Sequence, residues 1–165
     1  MNDNKGQISA EFLFLFGVMI LIVMLAVVFA AQQQELNLAM SAARNGVNEG
    51  IATSSSAMYP KDTFRDYSLS KEDLLIPYNV KIVNISYTEM GYDANYEKTK
   101  IQFMVYAKTT DRFDKTELVS IGDRINYNLR KSVALSFNST PSTNNLYNPV
   151  FSSHYVYTTA NVKWV

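Results

Sequence analysis

The chain contains no cysteine, which excludes disulfides, zinc–thiolate sites and thiol nucleophiles. It has one histidine, His154, too few for most histidine-dependent catalysis or metal binding. Fifteen basic and fifteen acidic side chains cancel, whereas a nucleic-acid binder shows a basic excess or a basic face. No proline occurs before Pro60, so nothing forces an earlier helix break. No nucleophile–base pair, phosphate loop or zinc signature appears. Asp111, Asp114 and Glu117 lie close together, but not at the spacing of an EF-hand calcium loop. The reading is therefore not an enzyme, with no cofactor, no metal site and no nucleic-acid partner. The 165 residues suit one domain with an appendage.

The most informative absence is local. No charged residue occurs between Glu11 and Glu35. Phe12–Ala31 is an unbroken apolar block, FLFLFGVMILIVMLAVVFAA. A helix of about 20 residues spans roughly 30 Å, the hydrocarbon thickness of a bilayer. A buried core helix would show a polar face, and this block shows none. It also exceeds the apolar stretch of an ordinary secretory signal peptide, about 7–15 residues. A membrane helix over 12–31 is expected. Lys5 and Asp3 offset one another, so flanking charge says little about orientation.

Beyond Gln32–Gln34, the residues Leu36, Met40, Ala43, Val47 and Ile51 recur at helical spacing. Ala39, Ala42, Gly46 and Gly50 lie along the same stretch, and small residues permit close helix approach. One helix over about 7–57 follows, roughly 75 Å long.

The remainder, 58–165, holds all eleven tyrosines, the single tryptophan and all four prolines. It reads as a β-rich head, giving an α+β chain. Tyr78–Tyr87 is β-branched but mixed in phase, which suggests a bulge. Lys98–Lys108 alternates, with Ile101, Phe103 and Val105 on one face. EMGYDANYE between them reads as a hairpin loop. Thr116–Lys131 carries a helical period through Leu118, Ile121, Ile125 and Leu129. Ser132–Phe137 reads as a short strand, Asn138–Ser153 as a turn-rich loop, and Tyr155–Val165 as a terminal strand. Asn84-Ile85-Ser86 and Asn138-Ser139-Thr140 are glycosylation acceptors by pattern, Asn138 the better placed because it opens a polar loop.

Glu11 abuts the apolar block directly. On physical grounds it reads equally as an ordinary juxtamembrane acid or as a functional carboxylate, because its cost at an interface is far below that at depth. The surrounding residues favour the second. KGQISAEFLFL resembles the class III signal peptide of archaeal type IV pilin-like proteins. In that family a leader ending in a basic residue and glycine precedes a Q-x-S-x-E-x-x-x-L motif and a hydrophobic helix. Here Lys5 and Gly6 end the leader, and Gln7, Ser9, Glu11 and Leu15 fill the motif. The resemblance covers about the first 31 residues; the head carries no matching motif.

The resemblance implies a type IV pilin-like architecture and a processing step. A membrane-embedded prepilin peptidase of the aspartic type would cut between Gly6 and Gln7 on the cytoplasmic side, removing the leader 1–6. The new α-amine at Gln7 lies four residues before Glu11, on one helix face. In pilins the matching glutamate is thought to meet the terminal amine of a neighbouring subunit. Two unit charges 4 Å apart attract by about 4 kcal/mol gross at an effective dielectric of 20. Losing one partner leaves the other buried and unpaired, the costly case, so Glu11 would set register. The implied partners are copies of the chain itself in a helical homopolymer, the membrane before assembly, the prepilin peptidase, and a pilus assembly ATPase with its membrane platform protein. The implied location is a cell-surface pilus reached from a cytoplasmic-membrane precursor, with a role in adhesion. Two rivals stay open: a monomeric bitopic membrane protein with an extracytoplasmic β-rich binding domain, and a secreted β-protein cleaved near Ala31.

Overall fold

The computed structural model describes residues 4–52, 80–109 and 113–165, with side chains described from Ser9 in the first of these segments. Met1–Asp3, residues 53–79 and residues 110–112, Asp111 among them, lie outside the described residues, and with them the end of the expected helix beyond Ala52, the start of the head and its first two prolines.

A long apolar helix is followed by a mixed β-sheet domain, an α+β architecture. Helix α1 runs Asn4–Ala52 without interruption, as the absence of proline allows. The described chain forms two compact units, one ending at Asn37 and the other Leu38–Val165.

Among the described residues the second unit holds a five-stranded sheet. Strand β1 (Val80–Asp93) pairs antiparallel with β2 (Lys98–Thr109). The register shifts between Ile82 and Asn84, the bulge that the mixed phase of this segment implied. A second shift lies between Glu89 and Tyr92, where Gly91 takes φ +88, a conformation that costs other residues a Cβ clash. This glycine lets β1 continue to Asp93, so the expected loop EMGYDANYE is only the four-residue turn 94–97.

Helix α2 (Lys115–Ser136) follows β2. Asp114 caps its start: its carboxylate accepts from the Glu117 N–H at 2.7 Å, while Glu117 Oε2 accepts from the Asp114 N–H at 2.7 Å. This capping box satisfies two otherwise orphaned donors. The expected strand Ser132–Phe137 is instead the last turns of α2. Val133 extends the buried stripe four residues beyond Leu129, and in so short a run helical continuity outweighs β-branched propensity. Asn138 then ends the helix with φ +51. Its N–H donates to Leu135 O at 3.2 Å and the Ser139 N–H donates to Ala134 O at 2.9 Å, the paired bonds of a Schellman cap.

The loop after α2 holds a short 3₁₀ turn, Thr140–Ser142, and strand β3 (Val150–Phe151). The expected terminal strand is split into β4 (Tyr155–Thr159) and β5 (Lys163–Trp164). β4 joins β2 in parallel and β3 antiparallel, and β5 also runs parallel to β2 further along. The helix between β2 and β4 makes the parallel return possible.

One face of β2 presents Ile101, Phe103, Val105 and Ala107, all buried, as the alternation required. Phe103, Tyr157 and Phe137 form a continuous stack, with centroids 5.8 and 5.6 Å apart. Arg130 ties α2 to the sheet side by donating to Leu146 O at 3.1 Å and Thr159 Oγ1 at 2.6 Å. The last turns of α1 pack against the other side of α2. A Cβ on Gly46 would meet the Asn128 carbonyl oxygen, and would lie 2.8 Å from both Leu129 Cα and Ser132 Cβ. On Gly50 it would lie 3.2 Å from Ile125 Cα. The small residues are therefore the contact face: Ala39, Ala42, Ala43, Gly46, Val47 and Gly50 are buried, whereas Met40 and Ile51 are only half-buried. Packed on two sides, α2 buries even Arg124, Asn126 and Asn128. Asn126 donates to Ala160 O at 2.9 Å and Asn128 to Arg124 O at 3.0 Å.

Candidate functional site

The start of α1 is the part of the molecule with the most unusual physical character. From Phe12 to Phe29 its large apolar side chains are exposed on every side, between 41% for Val18 and 75% for Phe14. Water solvates such a surface poorly, at a cost of about 25 cal/mol for each Å² left uncovered. The helix is long and apolar enough to cross a membrane, and none of its most apolar window is buried within the chain. Phe12 and Phe16, four residues apart, stack with centroids 6.4 Å apart. Phe16, Met19, Ile20, Val23 and Met24 outline a shallow, wholly apolar groove. A Cβ on Gly17 would meet nothing within 4 Å, so that glycine leaves a dent in the surface.

The expected processing residues Lys5, Gly6 and Gln7 lie in the first turns of α1; their side chains are outside the described residues. The helix runs through the Gly6–Gln7 bond. Glycine weakens a helix by about 1 kcal/mol relative to alanine, which makes this turn easier to unwind.

The expected assembly residues Ser9, Glu11 and Leu15 are exposed. Gln7, Glu11 and Leu15 recur every four residues and so share one helix face, while Ser9 lies off that face. A free amine at Gln7 would sit at the positive end of the dipole, where a cation is disfavoured. A carboxylate is the group that would offset it.

Residues 4–29 match the class III signal peptide family. A class III signal peptide indicates a type IV pilin-like precursor. It implies processing by a prepilin peptidase and passage to pilus assembly machinery, and with the apolar helix it points to a membrane-anchored precursor. The match ends within the apolar block, and no curated protein and no solved structure matches the chain.

The two glycosylation motifs lie in the second unit. Asn84 is exposed on β1 beside the first bulge. Asn138 is exposed at the end of α2, where it also has a structural role as the left-handed cap. Sequence reasoning missed that role because it ended the helix at Lys131 and read Ser132–Phe137 as a strand. His154 sits before β4, its ring 6.5 Å from that of Tyr155. Among the described residues no group of three or more His, Cys, Asp or Glu could hold a metal ion.

Proposed function

We propose that this chain is a structural subunit of an archaeal type IV-like surface pilus, concerned with attachment. A prepilin peptidase removes Met1–Gly6, and the chain that begins at Gln7 polymerises through α1. The observation that carries this reading is the joining of the class III signal peptide at 4–29 to a helix exposed on all its apolar sides.

The chemistry supports two states of one helix. In the bilayer, lipid covers Phe12–Ala31. In a filament, the same surfaces of neighbouring copies cover it. A helix apolar all round suits both, whereas a one-sided amphipath suits neither. Head-to-tail contacts that do not close generate a helical filament. Within it, Glu11 of one subunit would pair with the Gln7 amine of another, so that only the correct axial register leaves no buried charge unpaired. The second unit forms the outer surface, where Asn84 and Asn138 are open to glycosylation. An assembly ATPase and a membrane platform protein drive insertion of each subunit.

The test is Glu11→Ala in the organism that makes the pili. Membrane insertion and leader removal should proceed as in the wild type, while surface filaments seen by electron microscopy should be lost or sharply reduced. Normal filaments in this variant would refute the register role. Absence of filaments in the wild type, with the chain monomeric in the membrane, would favour a bitopic binding protein instead.

A further inference from the structure

A cleft of about 240 Å³ lies between the first half of α2 and the C-terminal chain. It is lined by Lys115, Leu118, Val119, Gly122, Asp123, Asn161, Val162 and Trp164. None of these residues takes part in the apolar helix or its junction. The cleft is smaller than the roughly 300–1,000 Å³ typical of sites for drug-sized ligands, so it suits a single small ring.

Its construction follows from Gly122. A Cβ there would lie 3.3 Å from Val162 Cβ, so the glycine allows the C-terminal chain to close on α2 and form the floor. Leu118 and Val162 make that floor apolar, the exposed Val119 extends the apolar lining outward, and the half-buried Trp164 adds an aromatic wall. The polar groups stand at the edge. Lys115 donates, Asp123 accepts, and the Asn161 amide does both. Partial burial raises the Asp123 carboxyl above its ordinary range, against the opposing pull of Arg130.

We propose that this cleft binds a neutral pyranose sugar. The ring's C–H face would lie on Trp164 and the aliphatic floor, and its hydroxyls would exchange hydrogen bonds with Asp123, Asn161 and Lys115. Hydroxyls both donate and accept, which matches a rim that offers both. The lining itself holds one cation and one anion, Lys115 and Asp123, and Arg130 also acts on Asp123, so no unopposed charge of the lining is left to select a phosphate or an ammonium. The single aromatic wall favours a ring with one apolar face over an aromatic ligand held on two. The inference does not depend on polymerisation and stands or falls separately from the pilus reading.

Trp164 is the only tryptophan, so its fluorescence reports this cleft alone. The experiment titrates the full chain in detergent with glucose, galactose, mannose and N-acetylglucosamine, and repeats the titration with cyclohexanol as a non-fluorescent apolar probe. A saturable fluorescence change with at least one sugar is expected. Asn161→Ala and Asp123→Ala should weaken it about three- to tenfold or more, the loss expected from one hydrogen bond to a ligand. Saturation-transfer NMR on the wild type provides a second readout that needs no variant to fold. No saturable response or transfer with any of the four sugars would overturn the proposal. So would binding of cyclohexanol alone, or sugar binding unchanged in both variants.

Discussion

Replacing Gly46 by alanine tests the packing of the last turns of α1 on α2. Alanine would gain about 1 kcal/mol of helix propensity over glycine. Against this, its Cβ would be pressed onto the Asn128 carbonyl oxygen and would lie 2.8 Å from Leu129 Cα. These are backbone atoms, which cannot rotate away, so the two helices must separate. Overpacking of this kind typically costs about 1–3 kcal/mol, and a buried interface of small residues has little slack to absorb it. The net expectation is a loss of up to about 2 kcal/mol. Gly50→Ala is the internal control. Its nearest contacts would be 3.2–3.4 Å, a shift of a few tenths of an ångström, so the propensity gain should bring it within about 0.5 kcal/mol of the wild type. The assay is urea unfolding of the full chain in detergent, followed by Trp164 fluorescence. If Gly46→Ala proves as stable as Gly50→Ala, the helices are not in backbone contact and the packing argument fails.

Two further outcomes check other parts of the structure. Burial, with the neighbouring Tyr147 and the hydrogen bond to it, pushes the Tyr127 hydroxyl up to about 12 from 10.0. Because the folded state favours the neutral phenol, its contribution is intact below pH 10 and is lost as pH rises toward 12; phenolate absorbance should show a late-titrating component that Tyr127→Phe removes and that becomes ordinary on unfolding. Asn138→Ala should destabilise the head by about 1 kcal/mol and Asn138→Gly should not, since only the former strains the left-handed cap; equal stabilities by thermal unfolding would contradict the assignment of that cap.

Much of the molecule was legible because some segments leave one physical solution. Twenty uncharged apolar residues admit no polar face, and the strict alternation of Ile101, Phe103 and Val105 fixes the inner face of β2. The junction was legible because Lys5, Gly6, Gln7, Ser9, Glu11 and Leu15 occupy fixed positions ahead of that block. Ser132–Phe137 was misread because its propensity is ambiguous and the deciding signal lies outside it, in the cap at Asn138. The close approach at Gly46 depends on which helix meets it, which spacing alone does not specify. The parallel placement of β4 depends on how α2 crosses the sheet, and local sequence cannot encode that. The cleft was invisible for the same reason: Lys115 and Trp164 are far apart in the chain and meet only through the fold.

The central claim is that this chain is a leader-bearing precursor whose working form begins at Gln7. The most direct measurement is the intact mass and amino-terminal sequence of the protein in filaments sheared from the cell surface. The filament protein should have lost MNDNKG and should begin at Gln7. A chain that still begins at Met1, or one that begins near Ala31 after loss of the apolar helix, would contradict it.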